Sequence, residues 1–338
     1  MITINDMLGK SRYDIAIPHA PFLAPNKILG IDPELPLSIL EYPQFLSDKL
    51  NGHRGLTLNG EFMSRAMKST RMCDTVRDEF QEIATWAHSQ RVVLDGEFHS
   101  YSYNSVGETT SILAGTIPLS PDFFFKCFYC IPYDQWNGFT KDSAMLWSFH
   151  EKNMIEVKFP RLQLVKQKVV KSLDEVLAAM DKLEFTNKEG LMFLDPYSYY
   201  KKDRATISEA TLLKWKRYSD PIDAKIYAVT MRRERKDDVE TKYNAGTRKA
   251  EQVHTQDSFI ETEVAGTMIC RIEDNKDEVV SIGFPVGTSF DQRELYYREF
   301  GKGGAFDLKG KWLSFRKLSC EDRGKPMSVK DVQFRDDK

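Results

Sequence analysis

Hydrophobic and polar positions alternate along this chain in two different rhythms. Residues 1–42 hold Pro18, Pro21, Pro25, Pro33 and Pro36, with Pro43 just beyond, and read as an irregular leader because proline is excluded from helix interiors. A hairpin follows. Gly55-Leu-Thr-Leu58 alternates, Asn59-Gly60 supplies the two positive-φ positions of a type I′ turn, and Glu61-Phe-Met-Ser64 returns. Val76, Phe80, Ile83 and Ala87 recur at helical spacing and predict a helix from Asp74 to about Ser89. Arg91–Leu94 reads as a buried strand ending at Asp95-Gly96, and Phe123–Tyr129 as an aromatic strand. Ser172 and Glu175 have the S-x-x-E spacing of a capping box, opening a second helix striped by Val176, Met180 and Leu183. Gly190–Leu194 and Thr211–Lys216 read as two further strands.

After Asp220-Pro221 the rhythm becomes mostly that of strands. Ala224–Met231, Val264–Ile272, Val279–Phe284, Trp312–Leu318 and Ser328–Phe334 are strand-like, with one helical stretch near Gln292–Phe300. Five short strands at this spacing fit a Greek-key barrel of the oligonucleotide-binding (OB-fold) type. The expected architecture is therefore α+β. A first domain over 1–219, with 1–42 as its leader, combines antiparallel sheets with flanking helices, and a barrel domain covers 220–338. The polar run Arg232–Gln256 reads as a loop carrying Arg232, Arg233, Arg235, Lys236, Lys242, Arg248 and Lys249. Glu234, Asp237, Asp238 and Glu240 partly cancel that charge, so a solvated loop and a nucleic-acid contact both stay open.

Composition narrows the class. With 41% hydrophobic and 29% charged residues in 338, the chain has the makings of a folded core, and no apolar run approaches the ~20 residues of a membrane helix. The N-terminal residues lack the basic flank and apolar core of a secretion signal. Five Cys do not make a disulfide framework, and Cys127-x-x-Cys130 has no second ligand pair for zinc, so a reducing, cytoplasmic setting is expected. The 48 Lys+Arg against 50 Asp+Glu exclude a protein coated in basic residues, but not one with a local basic patch.

Four short motifs carry candidate chemistry. Lys49-Leu-Asn-Gly-His-Arg54 presents an amine beside a glycine turn and an arginine. An ordinary lysine, with pKa ~10.4, is free base in only about one part per thousand at pH 7.5. Making it a nucleophile is worth about 3–4 kcal/mol and needs desolvation or neighbouring cations, which Arg54, Lys214 and Lys216 could supply. Leu94-Asp-Gly-Glu97 places at a strand end a carboxylate able to hold a divalent metal or a ribose hydroxyl, and Glu189-Gly-Leu-Met192 places another carboxylate at a strand start. Leu212-Leu-Lys-Trp-Lys216 puts Lys214 and Lys216 on one strand face. A nucleophile, two carboxylates and two lysines suit phosphoryl chemistry on a metal-bound nucleotide.

In this order, KLNGHR, DGEF, EGLMF and LLKWK resemble the motifs of the covalent nucleotidyltransferases: ATP-dependent DNA ligases, RNA ligases and mRNA-capping guanylyltransferases. FLSDKLNGHRG with FMSRAMK, PDFFFKCFY (121–129) and EGLMFLDPYSYYKKDRATISEATLLKWKRY (189–218) are most similar to bacteriophage DNA ligases, as is the closing Arg335-Asp-Asp-Lys338. The likeness spans about residue 40 to the end.

What the resemblance implies is a nucleotidyltransferase (adenylation) domain followed by an OB-fold barrel. It also implies a monomer that uses ATP and Mg²⁺ (or Mn²⁺) to seal nicks in duplex DNA. Lys49 would form the AMP–lysine adduct, and Lys214 and Lys216 would neutralise the α-phosphate. Arg54 would contact the ribose or the nick phosphate, Arg65 the 5′-phosphate, and Phe128 the adenine, with Ser47 a further adenine contact. Glu97 would serve ribose and metal, and Glu189 the metal. Arg335, Asp337 and Lys338 would orient the leaving pyrophosphate. Asn51 and Tyr129 stand where DNA ligases usually carry Asp. RNA ligase, capping enzyme and inactive nucleic-acid-binding module are the rival readings. With no separate DNA-clamping domain, the barrel and the nucleotidyltransferase face would grip the nick, mostly through phosphates, with a hinge near Ser219-Asp220-Pro221.

Overall fold

The computed structural model describes residues 16, 20–25, 27–30, 35–103, 105–136, 159–183, 189–198, 200–201, 203–236, 241–244, 249–252, 258–274, 278–317, 329–335 and 337. The chain forms two compact units, 1–216 and 217–338. In the first unit the elements run β1 (Gln44–Lys49), β2 (His53–Leu58), β3 (Glu61–Ser64), α1 (Asp74–Ser89), β4 (Val92–Ser100), α2 (Val106–Leu113), β5 (Phe123–Pro132), β6 (Leu162–Leu164), β7 (Gln167–Val170), α3 (Leu173–Leu183), β8 (Gly190–Leu194) and β9 (Leu212–Lys216). In the second they are β10 (Ile222–Arg235), β11 (Thr241–Asn244), β12 (Lys249–Gln252), β13 (Phe259–Ile272), β14 (Val279–Ile282), α4 (Phe290–Arg298), β15 (Trp312–Lys317) and β16 (Val329–Arg335).

The first unit is layered, because two sheets with apolar inner faces bury them against each other. One sheet has the order β7-β1-β8-β9 and the other β3-β2-β4-β5-β6; every pairing is antiparallel except β5 with β6. Phe45, Leu194 and Leu212 of one sheet meet Leu56, Leu58, Val93 and Ile131 of the other in a shared core. Outside the second sheet, α1 and α2 cover Phe62, Phe98, Phe123 and Phe125, into which Phe80 inserts edge-on. Outside the first sheet, α3 packs Val176, Met180 and Leu183 on Val170, Leu191 and Phe193.

The leader is part of this core. Phe22, Leu29 and Leu35 are fully buried, Leu23 bridges Arg204, and the Leu29 amide donates to the Lys214 carbonyl at 2.9 Å. The hairpin turn has Asn59 at φ 52° and Gly60 at φ 87°, as its sequence requires. The capping expectation at Ser172 is met in altered form: its hydroxyl accepts from the Glu175 amide, but Glu175 reaches back to the Lys171 amide.

In the second unit five antiparallel strands have the order β14-β13-β10-β15-β16, two on either side of β10, as expected of an OB-type sheet. One expectation is corrected here. Arg232–Arg235 continue β10, and β11 pairs with β12, so the run 232–256 is not simply a loop. Arg248 and residues 237–240, 245–247 and 253–257 lie outside the described residues. Ser219 exchanges two hydrogen bonds with the backbone of Lys317 (2.8 and 3.1 Å), which attaches it to β15. Among the described residues no helix is long and apolar enough to cross a membrane.

A second correction concerns Asp95-Gly96. The pair does not end a strand: β4 passes straight through it, and Glu97 sits mid-strand. Gly96 marks close approach and not a turn, since a Cβ there would stand 2.4 Å from the Lys126 carbonyl oxygen. Opposite it β5 bulges, with Asp95 paired to Tyr129 and Gly96 to Cys127, leaving Phe128 as the extra residue. Simple alternation from Phe124 through Lys126 to Phe128 is therefore broken at the bulge. Gly96→Ala is expected to lower the unfolding free energy by about 1–3 kcal/mol in urea melts, the usual range for overpacking. Gly107→Ala, where a new Cβ meets only Ser105 Oγ at 3.9 Å, is the control and should leave the midpoint near that of the natural protein.

Candidate active site

Strand pairing assembles the first cluster. In register, Lys49 at the end of β1 faces Gly190 at the start of β8, and Gly190 faces Lys216 at the end of β9. Glu189, immediately before Gly190, thereby falls between the two lysines. Its buried carboxylate pairs with Lys49 Nζ through one oxygen and with Lys216 Nζ at 2.6 Å through the other. Only glycine fits at 190, because a Cβ would lie 2.0 Å from the Trp215 carbonyl oxygen. Burial works against ionisation of Glu189, but Lys49 and Lys216 outweigh it and hold the carboxyl below its ordinary range.

Lys214, one repeat back on β9, faces Met192, which in turn faces Ser47 of β1. Its pKa is pushed down to about 8, first by burial and then by Lys216 and Lys49. All three ammonium groups therefore act on one region, and among the described residues no carboxylate forms an ion pair with Lys214.

The second cluster lies on the facing sheet. β2 and β4 place Arg54 opposite Glu97. Glu97 accepts the Gly52 amide at 2.6 Å, so the turn after Lys49 is fastened to β4. Burial pushes the Glu97 carboxyl up to about 7 against the pull of Lys49 and Arg54, and Glu189 adds to the rise. Arg54 does not point freely toward a ligand: it grips Asp95 with two hydrogen bonds of 2.7 and 2.6 Å. Asp95 is fully buried and also accepts the Tyr200 hydroxyl at 2.6 Å; that hydroxyl accepts the Phe22 amide at 3.1 Å. The Arg54 guanidinium stands 4.9 Å from the Phe128 ring centroid, so the bulged aromatic does face this site.

Of the residues singled out by sequence, the first unit brings together Lys49, Glu97, Glu189, Lys214 and Lys216, with Arg54 and Phe128 beside Glu97. Ser47 is half-buried on β1, and Arg65 is exposed after β3. Asn51 is buried at the turn. Tyr129 belongs to the core, edge-on to Tyr200 at 5.2 Å. In the second unit Arg335 donates to Asp337 (2.6 Å) and Asp223 (3.1 Å). Lys338 lies outside the described residues. Asp95 and Tyr200 were not singled out: Asp95 stood inside the DGE motif, but Tyr200 has no local signal because its partner is 105 residues away.

Glu97 and Glu189 lie in the region of Lys49, and among the described residues no group of three or more His, Cys, Asp or Glu side chains could hold a metal by itself. That donor set fits a hard divalent cation completed by phosphate oxygens and water, the way Mg²⁺ is usually held.

No family model and no curated protein matches the sequence. Solved structures do match the fold. A Lig E DNA ligase, described as binding DNA with a minimal scaffold, superposes with a TM-score of 0.62 at 16% identity over 94% of this chain and 100% of its own. A protein designated Pmar-Lig_Pre superposes at 0.61 with 15% identity, over 94% of this chain and 67% of its own. The chain shares the two-part fold of the Lig E DNA ligase over nearly its whole length.

The raised Glu97 carboxyl has a stability consequence. Between its ordinary pKa of 4.5 and about 7, the folded protein keeps a proton that the unfolded chain has released. The contribution of Glu97 therefore falls as pH rises through that window. The melting temperature of the natural protein minus that of Glu97→Gln should decline from pH 5 to pH 8. A difference that is flat, or that grows, would refute the assignment.

Proposed function

We propose that this chain is an ATP-dependent DNA ligase that seals nicks in duplex DNA through a lysyl-AMP intermediate. The observation that carries this reading is the Lys49–Glu189–Lys216 clamp beside Lys214 in the first unit. Phosphoryl transfer asks a protein mainly to position and neutralise, and these residues can do both.

ATP would enter with its α-phosphate between Lys49 and the Lys214/Lys216 pair. Lys214 and Lys216 would stabilise the charge that develops on the phosphorus oxygens. A bound Mg²⁺ or Mn²⁺, held by Glu97 or Glu189 together with phosphate oxygens, would supply further neutralisation of that charge. Once Glu189 is drawn from Lys49, Nζ gives one proton to solvent water, attacks the α-phosphorus as the free amine, and loses a second proton to the departing pyrophosphate. The N–P bond forms as the bond to the β-phosphate oxygen breaks and pyrophosphate leaves. A 5′-phosphate oxygen then attacks the same phosphorus and returns Lys49 as the leaving amine, which takes up a proton. Finally the 3′-hydroxyl, losing its proton, attacks the 5′-phosphate and expels AMP.

Glu97, locked to the Gly52 turn, would orient the ribose. Arg54 is held by Asp95 and Tyr200 in one rotamer, ready for the ribose or the nick phosphate, and Phe128 beneath it would take the adenine face. Ser47, two residues before Lys49 on the same strand face, would contact adenine. Arg65, exposed, would meet the 5′-phosphate. In the barrel, Arg335 and Asp337 with Lys338 would orient pyrophosphate, with a hinge near Ser219-Asp220-Pro221. The partners are ATP and nicked DNA, and the protein acts as a monomer.

Label transfer tests the reading. Protein stripped of bound AMP with pyrophosphate, then given Mg²⁺ and α-labelled ATP, should carry label through a denaturing gel, and Lys49→Ala should carry none. Label from GTP alone would make it a capping-type enzyme. Label from ATP without sealing of nicked DNA, but with sealing of RNA, would make it an RNA ligase.

A further inference from the structure

The face of the second sheet that carries Arg54 and Glu97 continues beyond them. Across β2, β4 and β5 the register aligns Arg54, Glu97 and Lys126 in one row, a cation on either side of the carboxylate. Strands are spaced about 4.8 Å apart, so Glu97 and Lys126 are directly opposed neighbours.

The two cations are treated differently by the fold. Arg54 has a buried carboxylate of its own in Asp95. Lys126 is only 8% exposed, yet its Nζ donates to a phenol, Tyr101 Oη, at 2.6 Å, and lies 4.0 Å from that ring's centroid. Among the described residues no carboxylate forms an ion pair with it. The acids around it are otherwise engaged. Glu97 turns toward Gly52, and Asp122 is occupied by the hydroxyls of Ser100, Ser102 and Ser120. The neighbouring His99, also buried, bonds the Asn51 backbone, and its burial and the Lys126 charge keep it neutral down to about pH 4.

An ammonium taken almost wholly out of water without an anion is costly, and a neutral phenol oxygen offsets little of that cost. The cover over it is removable: Tyr101 is 63% exposed, at the surface end of β4. An anion arriving from solvent would replace a weak partner with a strong one.

Building on the proposed ligase activity, we infer that Lys126, gated by Tyr101, binds a backbone phosphate of the polynucleotide beside the nucleotide's ribose carboxylate Glu97. A single Lys–phosphate contact releases about one counterion, so its removal changes the salt dependence as well as the affinity.

The test measures binding of nicked duplex to the full-length protein by fluorescence anisotropy, without ATP or metal, over a range of KCl concentrations. Lys126→Met should weaken binding roughly tenfold at low salt and reduce the slope of log Kd against log salt by about 1, while Lys126→Arg should restore both. Tyr101→Phe, which frees the lysine of its hydroxyl, should tighten binding. An unchanged slope in Lys126→Met, with the protein's melting transition retained, overturns the inference. A loss confined to ATP affinity, measured separately by calorimetry, also overturns it and assigns the lysine to the triphosphate. The ligase reading fails on different evidence: natural protein that binds nicked duplex in these titrations but takes no label from ATP would refute the activity while leaving the Lys126 contact standing.

Discussion

Three lysines share one sheet face here only because a carboxylate lies among them. Two like charges 4 Å apart repel by about 4 kcal/mol at an effective dielectric constant of 20, and Lys49, Lys214 and Lys216 would multiply that cost. Glu189 takes Lys49 and Lys216 on its two oxygens, and much of the local architecture serves that position. Gly190 lets β9 come close enough to β8 for the bridge to form. β1, β8 and β9 must be adjacent and in this register, although Lys49 and Glu189 are 140 residues apart. Lys214 forms no ion pair among the described residues, and burial, followed by the Lys216 and Lys49 charges, holds its pKa down to about 8.

The opposite wall is built on a contrast between two carboxylates two residues apart on β4. Asp95 is sealed beneath Phe22, Arg54 and Tyr200 and is fully satisfied by strong donors. Glu97 is raised in proton affinity by burial, and further by the nearby Glu189, against its single Gly52 backbone donor. The first serves as a fixed anchor for a guanidinium. The second is responsive to whatever cation or hydroxyl approaches it. The leader segment takes part in the anchor, since the Phe22 amide fixes the Tyr200 hydroxyl that fixes Asp95. A region read only as an irregular lead-in thus supports the positioning of Arg54 from 32 residues away.

Local signals determined much of this protein. The Asn59-Gly60 turn, the stripe of α1, the strand β8 and the alternation of Lys214 with Lys216 each depend on φ preferences or periodicity within a few residues, and the structure has them where the pattern put them. The ordered set Lys49, Glu97, Glu189, Lys214 and Lys216 was legible for the same reason, since each sits in a short motif. What only the tertiary structure decided depends on approach between distant segments. Gly96 looked like a strand end because Asp-Gly commonly is one, and only the Lys126 carbonyl against it makes it a crossing point. Tyr200, Asp95 and Phe22 meet across gaps of 105 and 178 residues, and no local pattern encodes such a pairing. Lys126 is hydrophilic in sequence and buried in the fold, because burial is set by what packs over a side chain and not by the side chain itself.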